Sequence, residues 1–205
     1  MCWKWNKSKG IAKQGKRIVN KTDFVKIKDY IQDIEVELRY ATEHNFTGKV
    51  IYDFTDAWLR YGTVEKLAAA QEILKKQGYR LKVWDAYRPV YAQFILWNVY
   101  PDATFVADPT TGFSDHSRGN TVDVTVIDKD GREIIMPTEF DSFSPLADRD
   151  YRDVMDKESV VNAWMLQETM IEAGFIPYRD EWWHFSDKEV YEVEKEFMAK
   201  NMKED

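Results

Sequence analysis

Two of the three histidines in this 205-residue chain stand near carboxylates, in segments crowded with polar residues. One segment reads Ser114-Asp115-His116-Ser117-Arg118-Gly119-Asn120-Thr121-Val122-Asp123, and the other reads Glu181-Trp182-Trp183-His184. Further upstream lies Asp85-Ala86-Tyr87-Arg88-Pro89. Zinc takes imidazole nitrogens and carboxylate oxygens as ligands, and a catalytic zinc keeps its fourth position for water. His116, Asp123 and His184 would supply three protein ligands to one Zn2+ per chain. Glu181 is then a spare carboxylate, of the kind that serves as general base on a metal-activated water. The chemistry of the set is metal-assisted hydrolysis. Taken singly, each residue has a plainer reading: a lone His is commonly packed or exposed, and a Glu near a His is commonly a surface coincidence. Joined in this order and spacing they are much harder to dismiss.

These residues need elements to bring them together. Residues 121–127 alternate polar and apolar and are rich in β-branched types, which predicts a strand buried on one side. Val122, Val124 and Val126 would face the core, and Thr121, Asp123 and Thr125 the opposite face. Gly119 allows a sharp turn between His116 and Asp123. Glu181 and His184 share a face on a helix but not on a flat strand. Trp182, Trp183 and Phe185 favour strand, so Glu181 is expected at an irregular strand start, with a bulge or turn bringing it beside His184.

Elsewhere the pattern predicts a strand over 34–39 and a helix over 63–77, capped by Thr63 and ended by Gly78. A short strand over 81–84 leads to the Arg88 segment, and an apolar helix over 90–99 follows Pro89. Residues 102–113 read as a loop, Lys129-Asp130-Gly131 as a hairpin turn returning over 133–136, and 137–156 as a long polar loop that forms a lid or pocket wall. A helix over 159–173, closed by Gly174, and a last helix over 188–200 complete the pass. The mixture predicts an α+β fold: an antiparallel-rich central sheet with helices packed mainly on one face.

The length fits one domain, residues 22–205, preceded by a basic arm over 1–21 that carries Lys4, Lys7, Lys9, Lys13, Lys16, Arg17 and Lys21. The plain reading of that arm is a solvated tail. A net charge of −7, from 29 basic and 36 acidic residues, argues against nucleic acid as a partner, or simply keeps the surface soluble. No apolar run is long enough for stable membrane insertion. The single cysteine, Cys2, excludes an internal disulfide. A cytoplasmic protein is expected; the alternative is an extracytoplasmic lipoprotein anchored through Cys2.

The two metal blocks match Ser-x-His-x-x-Gly-x-Ala-x-Asp followed by Glu-x-x-His, with Thr121 where Ala is usual. In this the chain resembles the D-alanyl-D-alanine dipeptidases, zinc enzymes of the vancomycin-resistance type. It is similar, more distantly, to D-Ala-D-Ala carboxypeptidases and cell-wall endopeptidases of the same superfamily. Glu37-Leu38-Arg39-Tyr40-Ala41-Thr42, Asn45-Phe46-Thr47-Gly48, Trp84-Asp85-Ala86-Tyr87-Arg88-Pro89 and Phe140-Asp141-Ser142-Phe143 favour the dipeptidase branch.

The resemblance implies a hedgehog/D,D-peptidase-like sheet with zinc in a cleft on it. His116, Asp123 and His184 would bind the metal, Glu181 would move the proton, and Arg88 would stabilise the oxyanion. A guanidinium suits that task because it is always charged and offers a fork of donors. The plainer reading of Arg88 is an ion pair with Asp85. The implied substrate is the small peptide D-Ala-D-Ala, cleaved to two D-alanines. A dipeptide zwitterion needs an anion for its ammonium and donors for its carboxylate. Asp141 could hold the ammonium, Ser114 could hydrogen-bond the substrate, and Tyr40 could border the pocket; the plainer readings are a loop or cap acid for Asp141 and a core aromatic for Tyr40. Hydrolysis would remove a cell-wall precursor, in glycopeptide resistance or in D-alanine recycling. The alternatives are a D,D-carboxypeptidase or wall-peptide endopeptidase and, in another class, a non-catalytic zinc-binding module. Oligomeric state is not legible.

Overall fold

The structure, a computed structural model, describes residues 18–195 and residue 197. In chain order they form β1 (Phe24–Lys26), α1 (Ile27–Tyr30), β2 (Glu35–Val36), β3 (Trp58–Arg60), α2 (Tyr61–Lys75) and β4 (Arg80–Asp85). Then come α3 (Val90–Val99), β5 (Thr121–Ile127), α4 (Lys157–Glu172), β6 (Phe175–Pro177) and β7 (His184–Asp187). Five strands make one sheet in the order β2-β4-β5-β7-β6, and β1 pairs with β3 in a second. The β2–β4 pairing is parallel, and the other pairings of the large sheet are antiparallel. The fold is therefore α+β with an antiparallel-rich sheet.

The central strand differs from its expectation in one respect. β5 is buried along its whole length, on both faces. Val122, Val124 and Val126 join Leu81, Val83 and Phe185 in the main apolar core. The polar face is covered as well, because the 37–54 and 133–143 segments fold over this side of the sheet. They are joined to each other by Tyr40 Oη, which donates to Asp141 Oδ2 at 2.9 Å, and by the Arg39–Glu133 pair. The predicted loop over 137–156 thus serves as a wall, with Phe140 packed against Trp84 and Trp183.

Apolar spacing puts Val64, Leu67, Ala70 and Leu74 of α2 on its buried side, and α2 packs against β4 and α4. Gly78 ends this helix with φ +85°. Thr63, expected as its cap, lies inside the first turn instead. β3 runs directly into the helix, so Arg60 takes the cap position, and the Thr63 hydroxyl donates to buried Asp187 Oδ2 at 2.9 Å. The helix after Pro89 begins and ends as read. In α4, the Asp156 carboxylate caps the N–H groups of Glu158 and Ser159.

Three further expectations need correction. The strand over 34–39 shortens to β2, because Arg39–Ala41 winds into a 3-10 turn. The return over 133–136 is a single bridge, Ile127 to Glu133, after a turn in which Gly131 has φ +82°. The last helix is absent over 188–195: that segment is a strap whose backbone bonds elsewhere. Glu194 N–H donates to Ser117 C=O at 3.0 Å, and the Tyr191 and Glu189 carbonyls accept from Arg118 and Asn120. Tertiary hydrogen bonds here override helix propensity. The remainder of that predicted helix, apart from Phe197, lies outside the described residues, as do Cys2 and most of the basic arm. No helix among the described residues is long and apolar enough to cross a membrane.

Gly119 ends the 3-10 turn Asp115–Arg118 in the left-handed conformation, φ +76°. A Cβ at this position would lie 2.4 Å from Phe24 Cε1. Gly119→Ala combines the left-handed penalty of ~1–2 kcal/mol with overpacking of ~1–3 kcal/mol. It should therefore lower unfolding stability by about 2–5 kcal/mol, read from the urea midpoint. A midpoint within error of the parent would show that the turn tolerates a side chain.

Candidate active site

Strand register does most of the assembly. Asp123 of β5 stands opposite Asp85 of β4 on one side and His184 of β7 on the other. A register shift between Val83 and Asp85 brings Asp85 into that row. Beyond it the chain leaves the sheet through Ala86 to Pro89. Arg88 N–H then donates to His116 C=O at 3.2 Å, fastening the arginine segment to the 3-10 turn that carries His116.

The Glu181 problem is solved by a turn. His184 N–H points to Glu181 C=O at 3.4 Å, so the two side chains come to the same side despite their spacing. Arg149, which sequence reasoning missed, ties this corner down by donating to the carbonyls of Tyr178 and His184. Its position in a polar loop gave no signal.

His116 Nδ1 lies 2.8 Å from Ala86 C=O. A carbonyl only accepts, so Nδ1 carries the proton and Nε2 presents its lone pair inward. Nε2 is 3.4 Å from Asp123 Oδ1 and 3.4 Å from His184 Nδ1. His184 Nδ1 is 3.1 Å from the same Oδ1. This oxygen is buried and has no well-aligned hydrogen-bond donor. Three ligand atoms about 2.0–2.1 Å from one tetrahedral ion stand about 3.3 Å from one another. The triangle thus fits a metal ion of zinc's size, and His116, Asp123 and His184 are the group of donors among the described residues that could hold one.

The electrostatics agree with a cation site. Burial alone would raise the pKa of Asp123, but His116 and His184 beside it hold it below the usual carboxylate range. Burial opposes charge on His116, yet Asp123 more than offsets this and raises its pKa. Burial, then Asp123 and Asp141, push Glu181 up. Its Oε2 lies 3.3 Å from His184 Nδ1, beside the triangle. Burial and then Asp123 push Asp141 up to about 8. A dication at the triangle would favour the ionised form of all these carboxylates.

Arg88 makes the Asp85 ion pair of its plainer reading and also borders the cavity. Its Nε and Nη2 donate to Asp85 Oδ2 at 3.0 and 2.7 Å, and Nη2 lies 3.9 Å from Asp123 Oδ2. It is ion-paired and also lines the site. Tyr40, Arg88, Ser114, His116, Asp123, Asp141, Glu181 and His184 all border one cavity of about 200 Å3. Ser114 caps the His116 turn through its hydroxyl, which accepts from His116 N–H at 3.3 Å. Asp141 holds a left-handed backbone, φ 55°. His44 stands apart, against Arg39. Phe143 and Trp183, from segments the sequence had marked, add apolar lining, as do Phe105 and Tyr178, which it had not singled out, since aromatics in loops carry no chemical signature. Replacing His116 or His184 by Ala should reduce zinc from one ion per chain towards none in elemental analysis, with the circular-dichroism spectrum kept. Full zinc content in both variants would overturn this ligand set.

The family model described as D-Ala-D-Ala dipeptidase matches residues 20–202. A D-alanyl-D-alanine dipeptidase of Escherichia coli K12 is 35% identical over 164 residues, 80% of this chain and 84% of that protein. One from Streptomyces coelicolor is 32% identical over 191 residues, covering 82% of this chain and 92% of the relative. One from Enterococcus faecium is 29% identical over 182 residues, 79% and 90% of the two chains. The metal triangle, the carboxylate beside it and a match along nearly the whole chain agree: the chain belongs to the D-Ala-D-Ala dipeptidase family.

Proposed function

We propose that this protein hydrolyses D-alanyl-D-alanine to two D-alanines, with one zinc held by His116, Asp123 and His184. The observation that carries the reading is Glu181, a buried carboxylate 3.3 Å from His184 Nδ1 and outside the donor triangle. A purely structural metal site has no use for such a group. When bound, zinc would supply the Lewis acidity that polarises the scissile carbonyl and acidifies a water. Glu181 takes a proton from the attacking water and passes it to the departing amine, so the C–N bond breaks with its leaving group neutralised. Arg88 has five N–H groups, of which Asp85 and Gln93 occupy three. The remaining two meet the oxyanion.

Asp141, steadied by the Tyr40 hydroxyl, is the partner for the free ammonium of the substrate. An arriving ammonium favours its ionised form. Ser114 hydrogen-bonds the substrate. A cavity of about 200 Å3 suits a small zwitterion; sites for drug-sized ligands run to roughly 300–1,000 Å3. This cleft on an antiparallel-rich sheet is read as the hedgehog/D,D-peptidase-like arrangement. The catalytic domain is placed at 22–205, with 1–21 as an arm, a division supported by the family match starting at residue 20. We place the protein in the cytoplasm; recovery of a Cys2-acylated form in a membrane fraction would move it outside.

The test is release of D-alanine from D-Ala-D-Ala, beside N-acetyl-D-Ala-D-Ala and L-Ala-L-Ala, after chelation and after zinc is restored. Zinc-dependent cleavage of the free D,D-dipeptide alone is expected. Cleavage of the blocked peptide instead would move the chain to the carboxypeptidase branch. Glu181→Ala should keep its zinc and lose about 10²–10⁴-fold in kcat. Arg88→Ala should lose about 10²–10³-fold. Parent turnover in Glu181→Ala would refute the proton-transfer role.

A further inference from the structure

The Arg88 guanidinium is hydrogen-bonded by two side chains, Asp85 and the neutral Gln93, with Asp123 Oδ2 a further 3.9 Å from Nη2. Both bonds to Asp85 end on the same oxygen, Oδ2. A single oxygen anchors the guanidinium, yet leaves it room to swing about that point. The second point lies on the opposite edge, where Arg88 Nη1 donates to Gln93 Oε1 at 2.9 Å. Gln93 sits in the first turn of α3 and is fully buried. Its other end is also fixed: Nε2 donates to Ala107 C=O at 2.7 Å. Guanidinium only donates and a carbonyl only accepts, so the orientation of this amide is dictated by its partners. The Tyr40 ring, 5.1 Å from Arg88 Cζ, closes one face of the guanidinium.

Ala107 belongs to the cavity wall, together with Thr104, Phe105 and Val106. Gln93 therefore joins the arginine to the wall that substrate would touch. Such a group is costly to bury and contributes nothing to the apolar core that Ala92 and Leu96 beside it serve. We infer that Gln93 is a positioning residue: it sets the rotation of the Arg88 guanidinium so that the two unoccupied N–H groups point at the oxyanion, and it registers the 104–107 wall to that direction. The inference rests on the proposed role of Arg88. Gln93 itself does not touch the reacting atoms. A misplacement of about 1 Å in a group that meets the transition state costs up to about 10²-fold in rate, so the gain from locking the rotation is within reach of one amide.

Gln93→Met conserves length and helix preference while removing both bonds. In the zinc-loaded enzyme it should lower kcat about tenfold or more with KM for D-Ala-D-Ala changed less than about twofold. A tetrahedral phosphinate analogue of the dipeptide should lose affinity by the same factor as kcat/KM. Combined with Arg88→Ala, Gln93→Met should cost less than about twofold more, because its effect is carried by the arginine. Equal cost in the two backgrounds would overturn the inference and leave Gln93 a structural group. Gln93→Glu keeps an acceptor for Arg88 and loses the donor to Ala107, and it should stay well above Gln93→Met in kcat. Activity as low as that of Gln93→Met would place the whole effect at the Ala107 end and overturn the role assigned to Gln93 in setting the Arg88 rotation. Should Gln93→Met fail to fold, Gln93→Leu, which also removes both bonds, alone and in the Arg88→Ala background gives the same decision. An Arg88→Ala enzyme with parent turnover would instead remove the reading of Arg88 itself, an outcome visible before Gln93 is touched.

Discussion

A carboxylate buried in the middle of a central strand is the constraint around which the site is organised. Asp123 is only 2% exposed. An isolated ionised carboxylate at such a depth is untenable without partners of opposite charge. Its partners come from three directions: His116 from the turn before β5, His184 from β7, and Arg88 beyond the end of β4. Slipping β5 by one residue would exchange Asp123 for Val122 or Val124 and place a charge in the apolar core. Register and electrostatics thus enforce each other. A slipped register would carry that cost, and in the observed one the donor atoms of His116, Asp123 and His184 stand together.

The second carboxylate in the row behaves differently. Asp85 is saturated: Oδ1 accepts from the Tyr52 hydroxyl and from Ala86 N–H, and Oδ2 accepts twice from Arg88. Neighbouring carboxylates on adjacent strands would repel, and Arg88 resolves the conflict by standing within reach of both. The same geometry separates their tasks. Asp85 spends its lone pairs on holding the arginine, whereas Asp123 Oδ1 is left without an aligned donor, facing two imidazole nitrogens. A saturated carboxylate is structural. An unsaturated one among imidazoles leaves a lone pair open to a cation.

Much of this was legible in residue types and spacing. The β5 alternation placed Asp123 on its face, the glycine after the His116 turn is left-handed as its position required, and the three-residue spacing of Glu181 and His184 demanded the turn that is found. The helix boundaries after Pro89 and before Gly174 followed from backbone chemistry local to those residues. What sequence could not supply was long-range. The burial of both faces of β5 depends on segments some eighty residues upstream and ten downstream closing over it. Thr63 reads as a cap until a buried Asp187 appears beside it. The strap over 188–195 reads as a helix because its partners, Ser117, Arg118 and Asn120, are far away in sequence. Gln93 reads as an unremarkable helix polar residue, since nothing local says that a guanidinium will arrive at one end of it and a carbonyl at the other.

Selectivity in the proposed reaction follows from the same economy of buried charge. Asp141 is held in a left-handed turn with one oxygen on Tyr40, in surroundings that push its pKa to about 8. Zinc at the triangle would favour its ionised form, leaving a buried carboxylate that lacks a cation of its own. A free ammonium supplies that cation. A blocked amine brings the bulk of its acyl group and no positive charge, leaving the carboxylate protonated or unpaired. Sites built to bond a specific polar group reject an analogue lacking it far more strongly than apolar pockets reject a missing methylene. On this reading the discrimination against longer wall peptides needs no dedicated lid. It resides in a wall carboxylate whose charge is paired only when the free ammonium of the substrate is present.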